Sequence, residues 1–135
     1  MFVVAGLSQV VFGQHHVMLL DSAGKVYSLG RHDYGVLGLG EGVTAEVHVP
    51  TQVRGELEPQ ACVEIACGTS VSFAVTTTGE AYSWGMGTNL QLSHSGDDDA
   101  LVPTKMIGQQ LSNRKVVGVS SGGQHTILLG QPKPE

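Results

Sequence analysis

Six histidines, two cysteines and twelve acidic side chains are the groups in this 135-residue chain that could carry chemistry, and their spacing decides which kind. His16 and His125 each close a glycine turn, in Gly13-Gln14-His15-His16 and Gly122-Gly123-Gln124-His125. An imidazole there offers a donor and an acceptor without obligatory charge at neutral pH, which suits contact with a polar protein surface. Its other possible duty is architectural, hydrogen-bonding neighbouring backbone. His15 and His16 with Asp21 nearby invite a metal reading, yet adjacent strand residues point to opposite faces and rarely share one ion. Cys62 and Cys67 lie in an apolar run, where cysteine behaves as a small buried hydrophobe, and two cysteines alone do not complete a zinc set. Asp97-Asp98-Asp99 lacks the glycine and terminal glutamate of a calcium loop and reads as a solvated loop tip. Gly38-Leu39-Gly40-Glu41-Gly42 lacks the Gly-Lys-Ser/Thr ending of a phosphate loop and reads as a turn between outer strands. Lys105, Arg114 and Lys115 form a loose basic patch without the aromatic interleaving of a nucleic-acid surface. With no nucleophile elbow, zinc helix or spaced carboxylate pair, no covalent catalysis, cofactor or metal is expected.

The elements that must position these groups repeat. Gly24-Lys25-Val26-Tyr27-Ser28-Leu29-Gly30 matches Gly79-Glu80-Ala81-Tyr82-Ser83-Trp84-Gly85 at a displacement of 55 residues. Gly13, Gly68 and Gly122 follow at 55 and 54, and Val49-Pro50-Thr51 recurs as Val102-Pro103-Thr104 after 53. Within one unit the pattern is short strands, at Val63 to Ala66, Ser72 to Thr76, Ala81 to Trp84 and Val102 to Met106, separated by Gly, Thr, Ser and Asp clusters. Four strands per unit of about 50 residues is the arithmetic of a propeller blade. The third unit supplies Lys115 to Ser120 and His125 to Leu129 and stops at Gly130. The fold expected is all-β, a partial β-propeller of about two and a half four-stranded blades. Its divisions are 1–12 as a poorly matching start of the first blade, 13–55 and 56–108 as blades, 109–130 as the first half of a closing blade, and 131–135 as a tail. Two prolines bar that tail from pairing as a central strand. The unfinished blade leaves an edge that needs a partner, which implies a sector of a longer ring.

Composition fits this reading. Hydrophobic residues make up 41% of the chain and charged residues 14%, the balance of a globular domain rather than a disordered tail. Glycine fills 19 positions without a collagen period, as turns with positive φ and close backbone approach require. A net charge of -5 argues against direct, sequence-specific nucleic-acid binding. No apolar stretch of membrane-spanning length and no basic-flanked leader occurs, so no membrane partner and a reduced intracellular compartment are expected.

The residues Tyr27-Ser28-Leu29-Gly30-Arg31, Tyr34 to Gly42, Trp84 to Asn89 and Ser120 to Thr126 resemble the repeat of the regulator of chromosome condensation (RCC1) family. The resemblance runs from about Gly13 to Leu129. It implies a seven-bladed ring, of which this chain would hold the last two blades and half of the closing one. It implies also a guanine-nucleotide exchange factor for the small GTPase Ran, working in the nucleus on chromatin, with nucleosome contacts made by other parts of the ring. A truncated product would be cytoplasmic. On this resemblance, the histidines matching His16 and His125 bind the GTPase on one face of the disc, with Arg31, Asp33 and Tyr34 as further surface candidates. The family's intruding wedge lies in an earlier blade, and its basic N-terminal segment has no counterpart here, so the chain alone is expected to be inactive. Exchange needs no covalent step, because tighter binding of the nucleotide-free GTPase suffices. The alternative is a non-catalytic propeller module that binds other partners. Departures are Val17 for Thr, Val71 for the turn His, Leu92-Ser93 for Leu-Gly, and the poor fit of residues 1–12.

Overall fold

In a computed structural model of the chain, the described residues are 6–86, 100–106, 114–121 and 126–132. His125, Leu92-Ser93, Asp97 to Asp99 and residues 133–135 lie outside them. The glycine-bounded apolar runs form antiparallel sheets. The first holds β1 (Leu7–Phe12), β2 (His16–Asp21), β3 (Val26–Gly30) and β4 (Val47–Gln52), paired in chain order. In the second, β5 (Cys62–Cys67), β6 (Val71–Thr76), β7 (Ala81–Gly85) and β8 (Ala100–Lys105) repeat that order, and β9 (Arg114–Ser121) pairs with β10 (Thr126–Pro132) in a third. Residues 7–12, for which the repeat pattern fits poorly, nonetheless pair with β2 as β5 pairs with β6. Gln131 and Pro132, expected in the tail, instead extend β10 beyond a register shift after Leu129 and oppose Lys115 and Arg114. A proline is tolerated there because, among the described residues, β10 pairs on one side alone.

Alternation decides which side chains fill which seam. In β2, His16, Met18 and Leu20 share one face, and Met18 and Leu20 pack into a core with Ile65, Ala74, Tyr82 and Trp84 of the second sheet. In β6, Val71, Phe73 and Val75 face the other way, into a core with Val116 and Val119 of β9. All six residues of β6 are therefore buried. A hairpin sheet buried on both faces reads as a continuous run rather than as alternation, which explains why Val71 to Thr76 carries so little polarity. Trp84 is fully buried, and truncating such a ring costs about 3–5 kcal/mol.

Backbone hydrogen bonds reinforce each seam at one repeated point. The Asp21 carboxylate accepts from Ala23 N at 3.0 Å and Lys25 N at 2.8 Å, which closes the β2–β3 turn. Gly24 then turns at φ +85° and presents its carbonyl to Cys62 N at 2.9 Å. Gly79, at φ +88°, does the same for Val116 N at 2.8 Å. A Cβ on Gly24 would lie 2.8 Å from the Ala61 Cβ and 2.9 Å from Cys62 N, so the approach of the next blade requires glycine. Gln9 adds a second tie, donating to Ile65 O and accepting from Ile65 N, both at 3.0 Å, so that its amide mimics a strand partner.

Left-handed strain and the backbone clash together make Gly24→Ala costly, by about 3 kcal/mol. Gly42→Ala meets no atom within 4 Å and is expected to stay within about 0.5 kcal/mol of the parent. Equilibrium denaturation of both variants checks the contrast; similar losses would remove the seam glycine from the account.

Candidate functional site

The second strand of a blade starts directly after a glycine turn, and the third ends on a glycine that lets the chain fold back over that turn. Gly30, at φ +116°, brings Arg31 N within 2.9 Å of the His15 carbonyl. Gly85, at φ +112°, brings Met86 N within 2.8 Å of the Ser70 carbonyl. The two assemblies are successive copies of one motif, and they stand side by side because successive blades do. Between them opens a crevice of about 290 Å³, lined by Gln14, His15, Arg31, Asp33 and Tyr34 of the first blade and Thr69, Ser70 and Met86 of the second.

Three of the surface candidates meet in this crevice. Arg31 Nη2 lies 3.0 Å from Asp33 Oδ2, with both side chains about half exposed, so the pair contributes at most about 1 kcal/mol and stays open to an incoming surface. Tyr34 is half exposed and sits at φ +60°, the one non-glycine residue in the left-handed region among those described. That conformation costs about 1–2 kcal/mol for a residue with a Cβ. It holds because the turn is clamped on its far side: a Cβ on Gly35 would lie 2.8 Å from Ala100 O, and Gly40 N donates to Leu101 O at 3.0 Å.

His16 lies beneath the crevice rather than in its wall. It is 3% exposed, and its Nε2 is 2.9 Å from Ser72 Oγ of the second blade. The bond runs to a side chain of the next blade rather than to backbone, and the burial follows because the residue shares a face with Met18 and Leu20. Ser72 Oγ donates to Val36 O at 2.8 Å and Trp84 Nε1 donates to the same carbonyl at 2.9 Å. Ser28 Oγ donates to Leu37 O at 2.7 Å. Burial, with the neighbouring His15 adding to it, pushes the His16 pKa down to about 4, so the ring is neutral at physiological pH. His15 is exposed in the turn and His16 buried at the start of β2, and among the described residues no three metal-ligating side chains gather. Both cysteines are free thiols, and burial pushes Cys62 up to about 11 and Cys67 up to about 12, which leaves them unreactive at neutral pH.

Reasoning on single residues missed Gln14, His15, Thr69, Ser70, Met86 and Ser72. The repeat carried the signal for one of them, since Met86 stands 55 residues after Arg31.

Comparison with known proteins agrees with this geometry. Residues 23–75 and 78–129 match the Regulator of chromosome condensation (RCC1) repeat. The chain is 52% identical over 123 residues to the human Regulator of chromosome condensation, covering 91% of this chain and 28% of that protein. It is 38% identical over 109 residues to the human E3 ubiquitin-protein ligase HERC2, covering 80% of this chain and 2% of that one. Among solved structures, Prp20p from Saccharomyces cerevisiae, described with its binding to Gsp1p and histones, superposes with a TM-score of 0.87 at 25% identity, over 96% of this chain and 32% of that one. The chain thus spans about a third or less of each of these proteins.

The buried imidazole predicts a pH dependence. Its folded pKa of about 4 lies below the ordinary 6.5, so the unfolded chain binds the proton more readily. Its contribution to stability is full above pH 6.5 and is lost as pH falls toward 4, to a limit of about 3 kcal/mol. Chemical denaturation across this range checks it: His16→Asn should flatten the slope, and an equal slope in parent and variant would place the ring in solvent.

Proposed function

The chain belongs to the regulator of chromosome condensation (RCC1) repeat family, and from that membership we propose that it is a sector of a guanine-nucleotide exchange factor for the small GTPase Ran. The observation that supports this most directly is the likeness to the human regulator over nine-tenths of the chain. In this reading the sector belongs to a seven-bladed ring, supplies part of the rim that receives the GTPase, and works in the nucleus on chromatin.

The rim chemistry suits the task. Exchange requires a surface that fits the nucleotide-free GTPase better than the loaded one, and the coupling between GTPase and nucleotide is then reciprocal. Arg31, Asp33, Tyr34 and His15 offer a cation, an anion, an aromatic hydroxyl and an imidazole on one turn-supported patch, the mixture that polar protein interfaces use. His16 supports that patch from below through Ser72. His125 stands in the third unit at the sequence position that His16 holds in the first. Among the described residues the sheets of four, four and two strands make up a fraction of the proposed ring, so the chain alone lacks most of the surface on which a GTPase would be held.

A second reading is a propeller interaction module without exchange activity. The likeness to HERC2 over four-fifths of the chain favours it, because the same repeat there belongs to a protein of a different class.

Release of labelled GDP from Ran separates the readings. The isolated chain should leave the intrinsic rate unchanged. In a complete propeller carrying this sector, Tyr34→Ala should weaken capture of nucleotide-free Ran by about 1–3 kcal/mol. A propeller that contains the sector and captures no Ran would leave the interaction module as the function.

A further inference from the structure

We propose that Ser72 is a positioning residue for the rim, receiving a hydrogen bond from His16 of the first blade and giving its own to the Val36 carbonyl, so that the Arg31–Tyr34 turn is held in place. The proposal rests on the rim reading above for its functional consequence and on hydrogen-bond geometry alone for the joint itself.

Proton counting sets the direction. Val36 O has no proton to give, and it is 2.8 Å from Ser72 Oγ, so the single hydroxyl proton of Ser72 must lie between them; the opposite arrangement would oppose two lone pairs at hydrogen-bond distance. Ser72 Oγ can then serve His16 Nε2, 2.9 Å away, as an acceptor only. The neutral imidazole therefore carries its proton on Nε2 and its lone pair on Nδ1. Nδ1 and Cε1 occupy the space that a Cβ on Gly13 would take, so the same glycine that makes the turn also admits the ring. Trp84 Nε1 fills the second lone pair of Val36 O at 2.9 Å. Gly38 lets the indole approach, since a Cβ there would lie 2.8 Å from Trp84 Nε1.

The next seam offers a comparison inside the same molecule. Val71 occupies the place of His16 one repeat later and packs into an apolar core with Val116 and Val119. An apolar filler thus suffices to close a seam of this kind. Burying an imidazole, a hydroxyl and an indole N–H instead costs desolvation, repaid only if each is satisfied, and among the described residues no buried side-chain polar atom lacks a partner. What directional bonds add over apolar packing is orientation. The backbone they orient is Val36, two residues from Tyr34, whose left-handed backbone would relax if the segment were released.

The single tryptophan makes the joint observable in the full chain. Long-range proton–nitrogen NMR should show His16 as the Nε2–H tautomer at neutral pH. Ser72→Ala should deplete that tautomer, move the Trp84 indole resonance and shift the amides of residues 31–34; Ser72→Thr, which keeps the hydroxyl, should restore all three. A parent ring protonated on Nδ1, or amides 31–34 unmoved in Ser72→Ala, would overturn the proposal. Capture of nucleotide-free Ran by a complete propeller carrying the sector tests the consequence separately. A loss of about tenfold in Ser72→Ala, recovered in Ser72→Thr, supports both joint and rim. Shifted amides with unchanged capture leave the joint standing and remove the rim reading.

Discussion

The carbonyl of Val36 belongs to the first blade and spends both its lone pairs on the second, one on Ser72 and one on Trp84. A loop that crosses from one sheet to its neighbour must satisfy its own backbone in foreign surroundings, because a buried carbonyl without donors costs as much as a lost hydrogen bond. Here the donors are two side chains that point toward the first blade by strand alternation. The same loop carries the left-handed Tyr34 and the exposed Arg31–Asp33 pair, and its far side is clamped against Ala100 and Leu101.

The same dependence of one sheet on the next runs through the molecule. A blade presents two faces and can cover neither with its own strands, so each core is assembled from two sheets. The second sheet, lying between the other two, has every residue of β6 and β7 buried, whereas their counterparts β2 and β3 in the first are buried only in part. Burial thus follows position in the row and not strand composition. The outer strands are managed differently. β4 and β8 each carry a proline next to an exposed valine, at Val49-Pro50 and Val102-Pro103, and a missing N–H blunts an edge that would otherwise pair with any passing strand.

Chemistry is held in reserve at this site. The one buried histidine among the described residues is neutral and committed to a serine, and the thiols are pushed out of the reactive range. What remains at the surface is a patch of mixed polarity held in a fixed shape.

The repeat displacement of 55 residues made the four-stranded units and their matched glycines readable from sequence, because hairpin turns and strand alternation are local properties. It also held the clue to His16, which shares its parity with Met18 and Leu20 and its repeat position with the apolar Val71; reading it only as a turn residue left its burial undecided. Strand ends such as Gln131-Pro132 escaped because a proline is excluded from a central strand but not from an edge, and edge status is not a local property. Tertiary structure alone decided that Ser72 meets His16 across 56 residues, that the crevice is built from two turns of successive blades, and that Tyr34 is held left-handed. Each depends on which surface covers a given face, and that surface is supplied by residues a full repeat away, beyond the reach of any local rule.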